Sequence, residues 1–294
     1  MVYFELLVAG LASGFLAGLL GIGGGFVIVP VLMLLLPQFD IAADMVPTIA
    51  VATSLAAMVP TALSALLTQY RRGFLDTSWV AKLAPGAAAG ALIGAQLAQH
   101  IHGTWIAAFF AMYAGFFSLK MLRNPAVDCE QSGRPKLIRR VKPPCIGLGI
   151  GSLSALAGVG GASLTVPYLL LANVDIRRAV AVSSAVGLAV AAAGALSFAV
   201  GAGTVAADKT LIGWVCWPAA LTIAFSAILM APHGVAASHR LPAPLLKRAF
   251  GGVLLAVCAA TLVKLAVPTT PQSAETIASA HSRGGGLPEV REVR

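Results

Sequence analysis

Gly14-Phe-Leu-Ala-Gly-Leu-Leu-Gly21-Ile-Gly23-Gly24-Gly25-Phe-Val-Ile-Val-Pro30-Val-Leu32 is an apolar segment broken by a run of glycines. Gly151-Ser-Leu-Ser-Ala-Leu-Ala-Gly158-Val-Gly160-Gly161-Ala-Ser163-Leu-Thr-Val-Pro167-Tyr-Leu169 repeats it. At a constant offset of 137, Gly14, Leu16, Gly21, Gly23, Gly24, Val29, Pro30 and Leu32 return as Gly151, Leu153, Gly158, Gly160, Gly161, Val166, Pro167 and Leu169. A duplicated, glycine-interrupted hydrophobic segment is the sequence signature of a transporter built from internal repeats.

The rest of the chain agrees. Apolar residues make up 58% and charged residues 11%, with a mean hydropathy of +0.88, whereas soluble domains carry roughly 25% charge. Several runs reach the ~20 residues needed to cross a bilayer. The fold class is therefore an all-α polytopic membrane protein. A β-barrel would show short alternating strands instead. The net charge of +9 sits in loops beside the spans, as membrane orientation demands, and no aromatic–basic interleaving points to nucleic acid. Cys129, Cys145, Cys216 and Cys258 form no CxxC pair, so neither a disulfide framework nor a zinc site is expected. The amino terminus, with Glu5 as its first charge, does not read as a cleaved signal peptide.

The pattern predicts transmembrane repeat one over 1–122, with a broken segment at 4–36 and spans near 45–68, 79–98 and 103–122. A basic loop fills 123–143. Transmembrane repeat two covers 144–267, with a broken segment at 144–173 and spans near 178–200, 211–230 and 246–267. The polar tail 268–294 is expected to be disordered. If each broken segment dips in and returns, Arg71, Arg72, Arg177, Arg178, Arg240, Lys247 and Arg248 join the basic loop on one side. With Lys82 and Lys120 beside the inner ends of their spans, that places 15 of the 20 Lys and Arg together, in the cytoplasm by the charge rule. A broken segment that crossed once would spoil this asymmetry. Each repeat, a helical hairpin followed by about three transmembrane helices, then makes an odd number of crossings. The two repeats are accordingly inverted.

Breaking a helix in hydrocarbon frees N–H and C=O groups, which must be buried in protein or line a wet cavity. The half-helix resuming after each break aims its N-terminal amides at the gap. Two such ends facing one another would bind an anion. No Asp or Glu falls inside a predicted span; the polar groups there are hydroxyls, which donate to oxyanions. The candidate substrate-binding set is Gly21, Gly23, Gly24, Gly25, Thr53, Ser54 and Ser64 from repeat one. Repeat two supplies Gly158, Gly160, Gly161, Ser163, Ser183, Ser184 and Ser197. Small residues also serve plain helix packing, and Ser or Thr in a span often bonds its own i−4 carbonyl. The glycine run is no P-loop, because no Gly-Lys-Ser/Thr follows it. His100, His102, His233, His239 and His281 lie in loops or tail. No hydrolase elbow, metal site or organic cofactor is expected.

With Ala52-Thr53-Ser54-Leu55 and the turn Tyr70-Arg71-Arg72-Gly73-Phe-Leu-Asp76 added to the paired glycine motifs, residues 5–267 resemble the TauE/SafE sulfite-exporter family. The resemblance implies export of a small anion, such as sulfite, a sulfonate or another organosulfur or organic anion, across the bacterial inner membrane. Two departures are Val182-Ser183-Ser184-Ala185, where a Thr-Ser pair would be typical, and Gly203-Thr-Val, which no Asp follows. The expected partners are the small anion and the lipid bilayer, with room for a homo-oligomer and no role for nucleic acid. No ATP motif is present, so a secondary transporter with alternating access is expected. The rivals are a membrane-embedded enzyme or assembly factor and an anion channel.

Overall fold

The computed structural model describes residues 2–20, 24–39, 41–123, 142–201 and 211–238, and the single helical positions 252, 255 and 259. Repeat one contains α1 (Val2–Leu20), α2 (Gly25–Leu35) running into a 3-10 turn (Leu36–Phe39), α3 (Val46–Arg71), α4 (Thr77–His100) and α5 (Gly103–Arg123). Repeat two contains α6 (Pro143–Leu156), α7 (Ala162–Leu171), α8 (Ile176–Val200), a small hairpin of β1 (Leu211–Ile212) and β2 (Val215–Cys216), and α9 (Trp217–Ser238). Five of these helices, α1, α3, α4, α8 and α9, are long and apolar enough to cross a membrane. Gly21, Gly23, most of the 123–143 loop, nearly all of the 246–267 span and the 268–294 tail lie outside the described residues.

Local signals set the helix ends. Asp76 and Asp175 cap α4 and α8 by accepting from the N–H groups of Ser78 and Arg177, at 3.0 and 2.9 Å. Such caps satisfy amides that the helix itself cannot. One expected boundary is corrected: the span placed at 211–230 begins at Trp217 and runs to Ser238. Gly213, at φ 63, turns residues 211–216 into the hairpin instead. The hairpin is held by Trp214, whose backbone N–H donates to the Phe198 carbonyl at 3.2 Å and whose ring N–H donates to that of Gly201 at 3.1 Å.

Both broken segments fold back on themselves. Gly24, with φ 70, lies against Ser13, so that a Cβ there would stand 2.9 Å from the Ser13 carbonyl. Tyr3, at the start of α1, meets Phe39, at the end of the returning stretch, edge to face at 6.4 Å. Gly161 repeats the first contact 137 positions later: a Cβ there would stand 3.4 Å from Ile150. α7 returns to the level where α6 began, since Tyr168 contacts Trp79 in the first turn of α4 and Pro144 touches Gly86.

The first helix of each repeat packs on the fourth helix of the other, α1 on α9 and α6 on α4. Glycines make both crossings backbone to backbone. Gly10 and Gly14 face Ile223 and Ala227, as Gly147 and Gly151 face Leu83 and Ala87. Gly234 faces Phe15 as Gly94 faces Ser152. These pairs correspond between the crossings, with an offset of 137 from α1 to α6 and of 140 from α4 to α9. Close approach through small residues replaces the hydrophobic drive that lipid cannot supply. Residue numbers rise together in these pairs, so α1 runs parallel to α9 and α6 parallel to α4.

The five-residue turn after α3 and the two-residue link after α4 reverse the chain each time. Arg177 lies over the Phe74 ring of the first of these turns, at 5.9 Å, and Lys82 over Trp79, at 5.2 Å. Arg71, Arg72, Lys82, Lys120, Arg123, Lys142, Arg177 and Arg178, all the Lys and Arg among the described residues, therefore sit at one end of the bundle. The capping carboxylates Asp76 and Asp175 share that end. Glu5 and Asp44 mark the other.

Candidate functional site

Residues 157–163 of the second break are all buried. Gly158 adopts φ 65, a conformation that costs any residue with a Cβ about 1–2 kcal/mol. Its N–H donates to the Ala155 carbonyl at 3.2 Å, and the Val159 N–H to that of Ser154 at 2.9 Å. These bonds close α6. α7 then opens with Ala162 bonded to Gly160 and Thr165 to Gly161. The amides of Gly160, Gly161, Ser163 and Leu164 donate to no atom among the described residues. Buried backbone donors are rarely left so, and those of Gly160, Gly161 and Ser163 gather, beside half-buried Leu164, at one helix N-terminus.

The first break comes to this place. A Cβ on Gly25, the first residue of α2, would overlap the Gly158 carbonyl oxygen and stand 2.9 Å from the Val159 Cα. Val29 of α2 and Val51 of α3 pack on Gly158 from the same side. Ser54, fully buried, lies within hydrogen-bond reach of both the Gly158 carbonyl (2.9 Å) and its own Val51 carbonyl (2.7 Å). Gly24, Gly25, Ser54, Gly158, Gly160, Gly161 and Ser163 thus belong to one buried locus where the repeats touch.

The other expected residues divide. Thr53, fully buried, accepts the Cys216 N–H at 3.0 Å and ties the hairpin to α3. Ser183 and Ser184, its counterparts on α8 with Ser54, both lie within reach of the Val180 carbonyl, at 2.7 and 3.1 Å. One turn on, Gly187 is buried, yet beyond its own helix backbone no described atom lies within 4 Å of where its Cβ would stand. Ser64 and Ser197 are elsewhere. Ser64 reaches the Ile228 carbonyl of α9 at 3.5 Å. Ser197 reaches the Leu92 carbonyl of α4 at 3.4 Å and accepts from the Gln96 amide at 3.1 Å. Ten residues of helix separate Ser64 from Ser54, about 15 Å, so the structure places this pair on helix seams and not at the breaks.

Sequence reasoning passed over Tyr113. It stands on α5, a helix read only as a span, and it reaches both breaks. Its ring stacks on Phe26, the second residue of α2, at 5.7 Å with planes 19° apart. Its hydroxyl bonds Ser163, the second residue of α7. Phe26 and Ser163 correspond under the 137-residue offset. The spacing Phe109, Phe110, Tyr113, Phe117 carried a faint signal, since it places aromatics on one helical face with a single hydroxyl among them.

The donors at this locus are amides and hydroxyls, and the described Asp, Glu, Lys and Arg lie at helix ends. Chemically the site offers hydrogen bonds and the positive ends of two helix dipoles. A family model described as sulfite exporter TauE/SafE matches residues 6–261. The chain belongs to this family. A probable membrane transporter protein of Haemophilus influenzae is 30% identical over 252 residues, covering 85% of this chain and 94% of its own. Probable membrane transporter proteins of Bacillus subtilis (28%, 58% of this chain and 68% of its own) and Methanocaldococcus jannaschii (26%, 80% and 86%) are also similar. No solved structure matches. This TauE/SafE protein is therefore a multi-pass membrane transporter, and the family match covers both glycine breaks and α5.

Proposed function

We propose that the protein is a secondary transporter that exports a small anion, of the sulfite, sulfonate or carboxylate kind, across the inner membrane. The observation that carries this reading is the group of four undirected amides at the start of α7, three of them on buried residues, where the first break meets the second. N–H groups donate only, so they suit a negative ligand and not a cation. Ser54, Ser183 and Ser184 add hydroxyls near the breaks, and Gly21 and Gly23 complete the first break in sequence. The reciprocal α1–α9 and α6–α4 crossings support an inverted relation of the repeats. α3 and α9 also run parallel, through Thr53 with Cys216 and Ser64 with Ile228, while α4 runs against α3. Each long helix of repeat two then opposes its counterpart. Rocking of one repeat on the other would expose the locus alternately. A membrane-embedded enzyme finds no support in a locus of amides and hydroxyls without a nucleophile–base pair.

Proteoliposomes loaded in turn with labelled sulfite, methanesulfonate and acetate test the proposal. At least one of these should leave at ten or more times the empty-vesicle rate, and Gly24→Leu should abolish the difference. Release of all three at the empty-vesicle rate by wild type would remove the anion reading, and unitary currents in a voltage-clamped bilayer would replace a transporter by a channel.

The cationic end is the cytoplasmic one in this reading. Cys145 is exposed, beside Lys142 at that end, while Cys216 is buried. With the other cysteines changed to alanine, Cys145 should resist an impermeant maleimide in intact cells and react in inverted vesicles. The opposite pattern would reverse the orientation.

A further inference from the structure

Tyr113 joins the first turns of both resumed half-helices, through its ring to Phe26 and its hydroxyl to Ser163. Ser154, on the last turn of α6 and fully buried, adjoins the same tyrosine hydroxyl. It is close enough to bear on that hydroxyl, yet its Oγ has no partner in hydrogen-bond geometry. Three hydroxyls therefore meet at the mouth of α7, and the Tyr113–Ser163 bond consumes only one of their three hydrogens. Two O–H donors remain, alongside the undirected amides of Ser163 and Leu164. An unpartnered hydroxyl in a buried site is costly unless something arrives to receive it.

We propose that Tyr113 is a substrate-binding residue of the anion site. With Ser163 and Ser154 it receives the oxygens of a compact oxyanion head, of the kind sulfite and sulfonates carry. The inference rests on the anion-transporter reading and extends it to a residue on α5 and to the head group selected. A planar carboxylate has two oxygens to offer where sulfite and a sulfonate have three, so the third donor discriminates between them.

Tyr113→Phe keeps the ring and its stacking and removes only the hydroxyl; Ser154→Ala removes the unpartnered donor with little change in volume. A hydrogen bond to a charged ligand accounts for about a tenfold to hundredfold change in affinity. In proteoliposomes, each variant should raise KM for sulfite and methanesulfonate by at least about tenfold, leave the maximal rate within about threefold, and raise KM for acetate much less. A purely structural role would change all three substrates alike, or none, and either result overturns the proposal. Should the wild type transport none of these anions, the transporter reading fails separately. The cluster is then judged by sulfite-dependent thermal stabilisation of the purified protein in detergent. A shift present in wild type and lost in Tyr113→Phe and Ser154→Ala sustains it. Equal shifts, or no shift in any of the three, overturn it.

Discussion

Gly158→Ala should leave an inserted protein that transports at about one hundredth of the wild-type rate or less. The residue sits at φ 65, and a Cβ there would stand 2.9 Å from the Ser54 hydroxyl and the Val29 side chain, and 3.0 Å from the Val51 Cα. The left-handed conformation alone costs about 1–2 kcal/mol. Crowding a packed interior adds roughly 1–3 kcal/mol. Together they come to roughly 2–5 kcal/mol, a range that spans the ~2.8 kcal/mol corresponding to a hundredfold change. The backbone relaxes by withdrawing Gly158 from Ser54 and from Gly25, which dismantles the meeting of the two breaks. The measurement is anion release from proteoliposomes normalised to inserted protein. Wild-type rates in Gly158→Ala would show that the contact between breaks is dispensable.

Gly151→Leu should fail earlier, at folding. A Cβ at Gly151 would overlap the Ala87 carbonyl oxygen, which belongs to rigid helix backbone and cannot swing aside. α6 and α4 would have to separate along the whole seam that Gly147, Gly86, Gly90 and Gly94 share. Overpacking of this kind costs upwards of about 3 kcal/mol. Gly149 provides the control on the same helix: it is half-buried, and beyond its own helix backbone no described atom lies within 4 Å of its Cβ position. Gly149→Leu should keep a monodisperse peak on size exclusion in detergent, and Gly151→Leu should lose it. Matching profiles would mean that the seam is not close-packed.

The hairpin at each break followed from particular residues. Only a reversal lets the Arg71–Arg72 and Arg177–Arg178 pairs share one end, and the structure brings Arg177 onto Phe74 in the turn after Arg72. Ser64 and Ser197 recur at comparable places in the two halves, and in the sequence that alone makes them candidates. Recurrence marks duplication, and a helix seam is duplicated as faithfully as a binding site. Tyr113 has no such signal, because its contacts with Phe26 and Ser163 join positions 87 and 50 residues away. The start of α9 was missed for a local reason: Leu211–Cys216 is apolar enough to continue a span, and the turn at Gly213 is fixed by Trp214 reaching Phe198 and Gly201.

The order of residues alone determined the membrane as solvent, the twofold duplication, the two helix interruptions and the segregation of positive charge. Each of these is written in local composition and spacing, which the physics of hydrocarbon reads without reference to distant chain. Tertiary structure decided which helix of one half crosses which helix of the other, that Gly25 rests on Gly158, and that a tyrosine from a third helix stands between the breaks. Those choices depend on surfaces approaching within van der Waals contact across stretches of sequence that range from 50 residues to more than 200. Complementarity of that kind exists only once both halves have folded against each other.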